Sequence, residues 1–185
     1  MGKIVVSEFV TLDGVMEAPN EWSFPYWNDD IGKFKLGEIR GGDALLLGRV
    51  TYEGFAAAWP ERTDEEGVAD RMNSLPKYVV STTLTDTAWN NSHIIAENIA
   101  EQVAALKPQI NQDILINGSA QLIQSLMQAD LIDEYRLLVF PVVLGKGKRL
   151  FQNGIDASLK LVETIPYDTG VVLLTYQPAP TDGEQ

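Results

Sequence analysis

Short apolar runs that fit strands alternate with helical patterns along the first 130 residues, and the remainder is strand-rich. Residues 3–11, 43–48, 77–82, 93–96 and 113–117 read as strands. Between them, residues 29–40, 49–58, 63–75 and 98–107 read as helices, and a helix over 118–129 follows the last strand. Strands joined by helical crossovers run parallel, because the crossover returns the chain to the end from which it left. The pattern therefore predicts an α/β fold with a central mixed, mostly parallel sheet and helices on both faces. Within 3–11, Ile4, Val6 and Val10 alternate with Val5, Ser7, Phe9 and Thr11, so apolar residues fall on both faces, as in a strand covered on both sides. Residues 159–164 and 170–177 predict a closing antiparallel hairpin. The long run 134–144 is interrupted by Pro141, which implies an edge or a bulge there.

No linker or repeat divides the 185 residues, so one domain over 1–178 and a flexible tail over 179–185 are expected. A chain of this size buries roughly 70% of its extended surface and needs neither disulfide nor metal staples. It has no cysteine, which removes thiolate chemistry and every cysteine-based metal site and suits a reducing cytoplasm. The lone histidine, His93, cannot build a multi-histidine centre, so no metal is expected. Its net charge of -12 repels a phosphate backbone, so nucleic acid is not an expected partner. No apolar stretch is long enough to span a membrane and no secretory signal stands at the start, so a cytoplasmic location is expected.

Against that acidic background, three predicted strand ends carry groups suited to an anion. Leu47-Gly48-Arg49-Val50-Thr51 passes from a buried strand through a glycine into a helix whose first N–H groups are free, with Arg49 as a permanent cation. Ile116-Asn117-Gly118-Ser119-Ala120 repeats the strand, glycine and helix order, with Ser119 also placed to cap the helix. Val80-Ser81-Thr82-Thr83 offers hydroxyls, which serve a phosphate or a turn equally well. Neither a full dinucleotide fingerprint nor a Walker lysine is present. Together these ends point to a nucleotide.

The same residues carry a family resemblance. Leu12-Asp13-Gly14, Leu47 to Tyr52, Val79-Val80-Ser81, Asn117-Gly118-Ser119, Asp133 to Leu137 and Phe140 to Gly147 follow one another in order over nearly the whole chain. In this the chain resembles the dihydrofolate reductase-like superfamily, and most closely its branch related to the C-terminal reductase domain of the riboflavin-biosynthesis protein RibD. The resemblance implies the three-layer fold of that superfamily and an NADPH site laid across the sheet. It implies that Gly48, Arg49 and Thr51 hold cofactor phosphates, with Arg49 near the adenosine 2′-phosphate, and that Ser81 and Thr82 meet the adenosine end. Asn117, Gly118, Ser119 and Ala120 match the turn over the pyrophosphate. Folate-reducing members place an acid on the first helix where this chain has Gly32. The RibD reductases border their substrate with the turn matched by Asp13-Gly14.

Asp13 is accordingly the candidate proton donor and substrate anchor, although Asp-Gly also makes an ordinary turn. Trp22, Phe24 and Trp27 are candidates to stack on a planar substrate or to pack as core, and Lys146 is a candidate for a substrate phosphate or a solvated lysine. The expected activity is hydride transfer from NADPH to a carbonyl or imine carbon of a small pterin-, pyrimidine- or flavin-precursor-like heterocycle. The alternative is a catalytically inactive nucleotide-binding protein, or an interaction protein that forms a homodimer through the 134–144 strand. Homodimerisation is compatible with the reductase as well.

Overall fold

The computed structural model describes residues 1–64 and 66–180; from residue 181 on, the expected tail lies outside the described residues. The strands are β1 (Ile4–Thr11), β2 (Gly42–Gly48), β3 (Lys77–Val80), β4 (Ser92–Ile95), β5 (Asp113–Ile116), β6 (Glu134–Phe140), β7 (Leu159–Pro166) and β8 (Val172–Pro178). They form one eight-stranded sheet in the order β4-β3-β2-β5-β1-β6-β8-β7. Pairing is parallel from β4 to β6 and antiparallel where β8 joins β6 and β7. The helices are α1 (Asp29–Gly41), α2 (Arg49–Ala58), α3 (Val68–Ser74), α4 (Ile99–Leu106) and α5 (Ala120–Gln128).

Side-chain parity divides the core. Ile4, Val6, Leu46, Ile114 and Ile116 pack with Val103 and Leu106 of α4 and with Leu122, Ile123 and Leu126 of α5. Val5, Leu45, Leu47, Val79 and Leu115 pack with Ile39 of α1, Tyr52 of α2 and Met72 of α3. The result is the expected three layers, helices on both faces of the sheet. No helix among the described residues is long and apolar enough to cross a membrane.

Several local expectations change. Asn28, rather than Asp29 or Asp30, caps α1 by accepting from the Ile31 N–H at 2.9 Å. The helix expected from residue 63 begins only at Val68, because Gly67 takes φ +74, and Asp64 accepts from the Val68 and Ala69 N–H groups. Strand β6 stops at Phe140, before Pro141, and is paired along both flanks by β1 and β8. It has no free edge, so it cannot zip two copies together as an exposed strand. The outer strand on that side is β7, on which Leu161 and Val162 are exposed.

One feature of the register creates the cleft. β5 pairs with β1 only through Val6↔Ile116, whereas β1 continues to Thr11 with β6 alone beside it. Beyond Ile116 the chain turns away into α5. A notch is left between the ends of β1 and β2, with Asn117 and Gly118 at its floor, at the point where ligands bind in open α/β sheets.

Candidate functional site

Around that notch lies a cleft of about 1150 Å³. Ten of the sequence candidates border it: Gly48, Arg49 and Thr51, Ser81 and Thr82, Asn117, Gly118, Ser119 and Ala120, and Trp27.

The two glycine turns are nested. Ser119 Oγ accepts from the Gly48 N–H at 2.8 Å and donates to Thr51 Oγ1 at 2.9 Å. A Cβ on Gly48 would lie 2.8 Å from Ser119 Oγ, and one on Gly118 would lie 2.7 Å from Thr51 Oγ1. Gly118 has φ +72 and Ser119 has φ 66, so the turn spends two left-handed residues in succession. Gly118→Ala is therefore expected to cost about 1–2 kcal/mol for the backbone alone, with the Thr51 clash in addition. Urea denaturation of the variant measures that loss.

The engagement of Ser119 elsewhere corrects its role as a cap. Its side chain gives no bond to the first turn of α5, and α2 likewise begins without a side-chain cap. Asn28 and Asp64 do cap α1 and α3. The first N–H groups of α2 and α5 thus keep their capacity for an anion at the cleft. Arg49, half-exposed, forms an i,i+4 pair with Glu53 at 2.9 Å. Such a surface pair is worth only about 0.3–0.5 kcal/mol and yields readily to a phosphate. Ser81 Oγ accepts from the Thr83 and Leu84 N–H groups, so its hydroxyl shapes the turn that carries Thr82 at the cleft wall.

The opposite wall is formed by Ser7, Glu8 and Phe9 of β1, by Met16 and Trp27, and by Gly32, Lys35 and Leu36 of α1. Trp27 packs on Phe9 with ring centroids 6.0 Å apart. Behind this wall Lys35 Nζ bridges Ser7 Oγ at 2.8 Å and Glu38 Oε2 at 2.7 Å, and reaches Asn117 Oδ1 at 3.4 Å. Arg136 joins Glu38, Glu134 and Asp113.

Other candidates lie elsewhere. Asp13 is not at the cleft: it accepts from Thr11 Oγ1 at 2.6 Å and from the Gly145 and Leu144 N–H groups at 2.8 and 3.2 Å. Those bonds, the Thr11 hydroxyl first, hold its carboxyl down to about 2. Asp13 thus ties the turn after β1 to the 144–145 loop, away from the cleft lining where the proton donor was expected. Trp22 is buried against Phe140, with Nε1 donating to the Glu17 carbonyl. Phe24 is 68% exposed and lies outside the cleft. Lys146 does not border the cleft, but Lys148 does.

The group that sequence reasoning missed is Glu8. Only 6% exposed, it shares a face with Val6 and Val10, lines the cleft, and leaves Oε1 buried without a hydrogen-bond partner among the described residues. Burial pushes its carboxyl up to about 8, against the pull of Lys35 and of the Gly118 N–H and with a smaller push from Glu38. Its signal in the sequence was a lone acid between Val6 and Val10 on one face of a strand.

The RibD C-terminal domain model matches residues 2–173. The chain belongs to the RibD C-terminal domain family. Its similarity to the uncharacterized protein YyaP of Bacillus subtilis (strain 168) is 35% identity over 183 residues, covering 94% of each chain. Among solved structures, a Shewanella sp. PV-4 protein assigned to riboflavin biosynthesis superposes with a TM-score of 0.75 at 23% identity, over 97% of this chain and 100% of that one. Dihydrofolate reductase from Enterococcus faecalis, complexed with NADP(H) and RAB-propyl, gives 0.65 at 17%, over 97% and 98%. The chain thus has the dihydrofolate reductase-like fold.

Proposed function

We propose that this RibD C-terminal domain is an NADPH-dependent reductase acting on a carbonyl or imine carbon of a small pterin-, pyrimidine- or flavin-precursor-like heterocycle. The observation that carries this is the strand order β3-β2-β5-β1, which sets the ends at Ser81–Thr82, Gly48–Thr51 and Asn117–Ala120 and the Ser7–Phe9 stretch of β1 side by side along one cleft. Neighbouring strands lie about 4.8 Å apart, so the row is as long as an extended dinucleotide needs. The roughly 1150 Å³ also exceeds the 300–1,000 Å³ usual for one small ligand, as a cleft for a cofactor and a second ring must. The matching family and fold agree with a reductase.

When bound, the cofactor supplies the hydride. The chain would supply the rest. Nested turns at Gly48 and Gly118 let backbone N–H groups approach the pyrophosphate, and Arg49 takes the 2′-phosphate as a forked donor. Phe9, Trp27 and Leu36 form a wall against which a planar substrate stacks. A dimer and a cytoplasmic location belong to the same proposal.

Titration of the purified chain with NADPH and NADH tests it, following quenching of tryptophan emission, since Trp27 and Trp59 line the cleft. Saturable NADPH binding is expected, weakened about tenfold by Arg49→Ala, with NADH binding unaffected by the substitution. Absence of saturation by either nucleotide up to millimolar levels would overturn the reductase.

A further inference from the structure

The buried, half-unpartnered carboxyl of Glu8 stands at the β1 end of the nucleotide row. Because the 2′-phosphate and pyrophosphate groups are assigned to β2 and β5, the next position in the strand order, β1, is left for the nicotinamide. Glu8 is the titratable group there whose Oε1 lacks a hydrogen-bond partner among the described residues. The side facing it from α5 begins with Ala120, Gln121 and Leu122 and brings no charge. From α1 come Lys35 and Glu38, already joined to each other at 2.7 Å. From the loops that line the same cleft come Glu17 and Lys148, linked through the Lys148 N–H at 3.1 Å. Gly32 leaves α1 without an acid at its position on the cleft.

We propose that Glu8 is the acid of the reduction, its protonated carboxyl facing the reduced nicotinamide and its carboxylate facing the oxidised, cationic ring. This rests on the NADPH assignment above. In the step, the C4–H bond of the dihydronicotinamide breaks with its electron pair, which makes the new C–H bond on the substrate. The O–H bond of Glu8 breaks at the same stage, and its proton makes the new N–H or O–H bond. NADPH is oxidised to NADP+, the substrate is reduced by two electrons, and a carboxylate remains beside the new cation until solvent returns the proton. The two charges appear together, so the buried cleft never holds one of them alone, which a low-dielectric site would penalise heavily.

The coupling is measurable without a substrate. Binding of NADP+ favours the carboxylate, and binding of NADPH favours the neutral acid, so the ratio of their affinities depends on pH. Taking the ratio cancels the titration of the 2′-phosphate, near pH 6 and common to both nucleotides. Calorimetric dissociation constants for NADP+ and NADPH across pH 6–9 are expected to show the NADP+ to NADPH affinity ratio rising about tenfold toward pH 9. In Glu8→Gln, which keeps the size and polarity and removes the proton, the ratio is expected to be flat. Binding of both nucleotides with a flat ratio in the unsubstituted chain would overturn the role of Glu8 and leave the reductase standing. A slope that persists in Glu8→Gln would assign the proton to another group. If neither nucleotide binds, the NADPH assignment fails first, and Glu8 with it.

Discussion

Arg136→Ala is expected to destabilise the chain by about 3–5 kcal/mol at neutral pH. The guanidinium lies 2.7 Å from Glu134, 2.8 Å from Asp113 and 3.4 Å from Glu38. Glu38 is 3% exposed at its side chain, and Glu134 is 9% exposed, so neither can turn to water once the cation is gone. Removal would leave these acids facing one another with only Lys35 and Lys3 in partial compensation. The pH dependence distinguishes this from lost packing. Burial alone would raise the Glu134 carboxyl, but hydrogen bonds from Gln177 and Arg136 and the charges of Arg136 and Lys3 hold it below its ordinary value. A lowered folded value contributes stability that is present above the unfolded value and lost as pH falls through the folded one. That contribution goes with Arg136, so the gap between the two proteins should be full at pH 7 and shrink in acid. Urea titrations at pH 7 and pH 3.5 measure it; an equal gap at both would assign the loss to packing of the arginine stem.

Glu8→Gln is expected to change stability with the opposite sign at alkaline pH. The folded carboxyl of Glu8 is raised from 4.5 to about 8, so between those values the folded chain keeps a proton that the unfolded chain has released. Stability from this group is complete below the unfolded value and falls as pH rises through about 8. Glutamine has no such loss. The stability difference, variant minus unsubstituted, should therefore swing by on the order of 4 kcal/mol in favour of the variant between pH 4 and pH 9. Denaturation of both proteins across that range checks it, and a constant difference would place Glu8 in a hydrated environment.

Much of the architecture was legible in the chain alone. Short continuous apolar runs ending in Gly48 and in Asn117-Gly118, each followed by a helical pattern, specify parallel strands delivering glycine turns to one end of a sheet. That follows from local rules: parity chooses the faces, and a helical crossover of fixed hand makes the strands parallel. The residues that the family resemblance assigned to a cofactor, down to Thr51 and Ala120, lie at those strand ends, and all of them border the cleft.

The wall formed by β1 and α1 could not be named in the same way, because its composition depends on what lies opposite. Trp22, Phe24 and Trp27 look alike as a sequence of aromatics, yet packing sends the first into the core beside Phe140, leaves the second on the surface and brings only the third to the cleft. Asp13 became a tie for the 144–145 loop through contacts more than 130 positions away. Ser119 left its helix to join Gly48 and Thr51 because two turns distant in sequence meet across adjacent strands. Glu8 is decided most completely by the tertiary structure. The sequence determines that it alternates with apolar neighbours, but only the early end of β5, two residues short of it, opens the notch that turns a misplaced acid into the wall of a cleft. Local sequence sets which way a side chain points; the assembled sheet sets what it meets there, and the chemistry follows from the meeting.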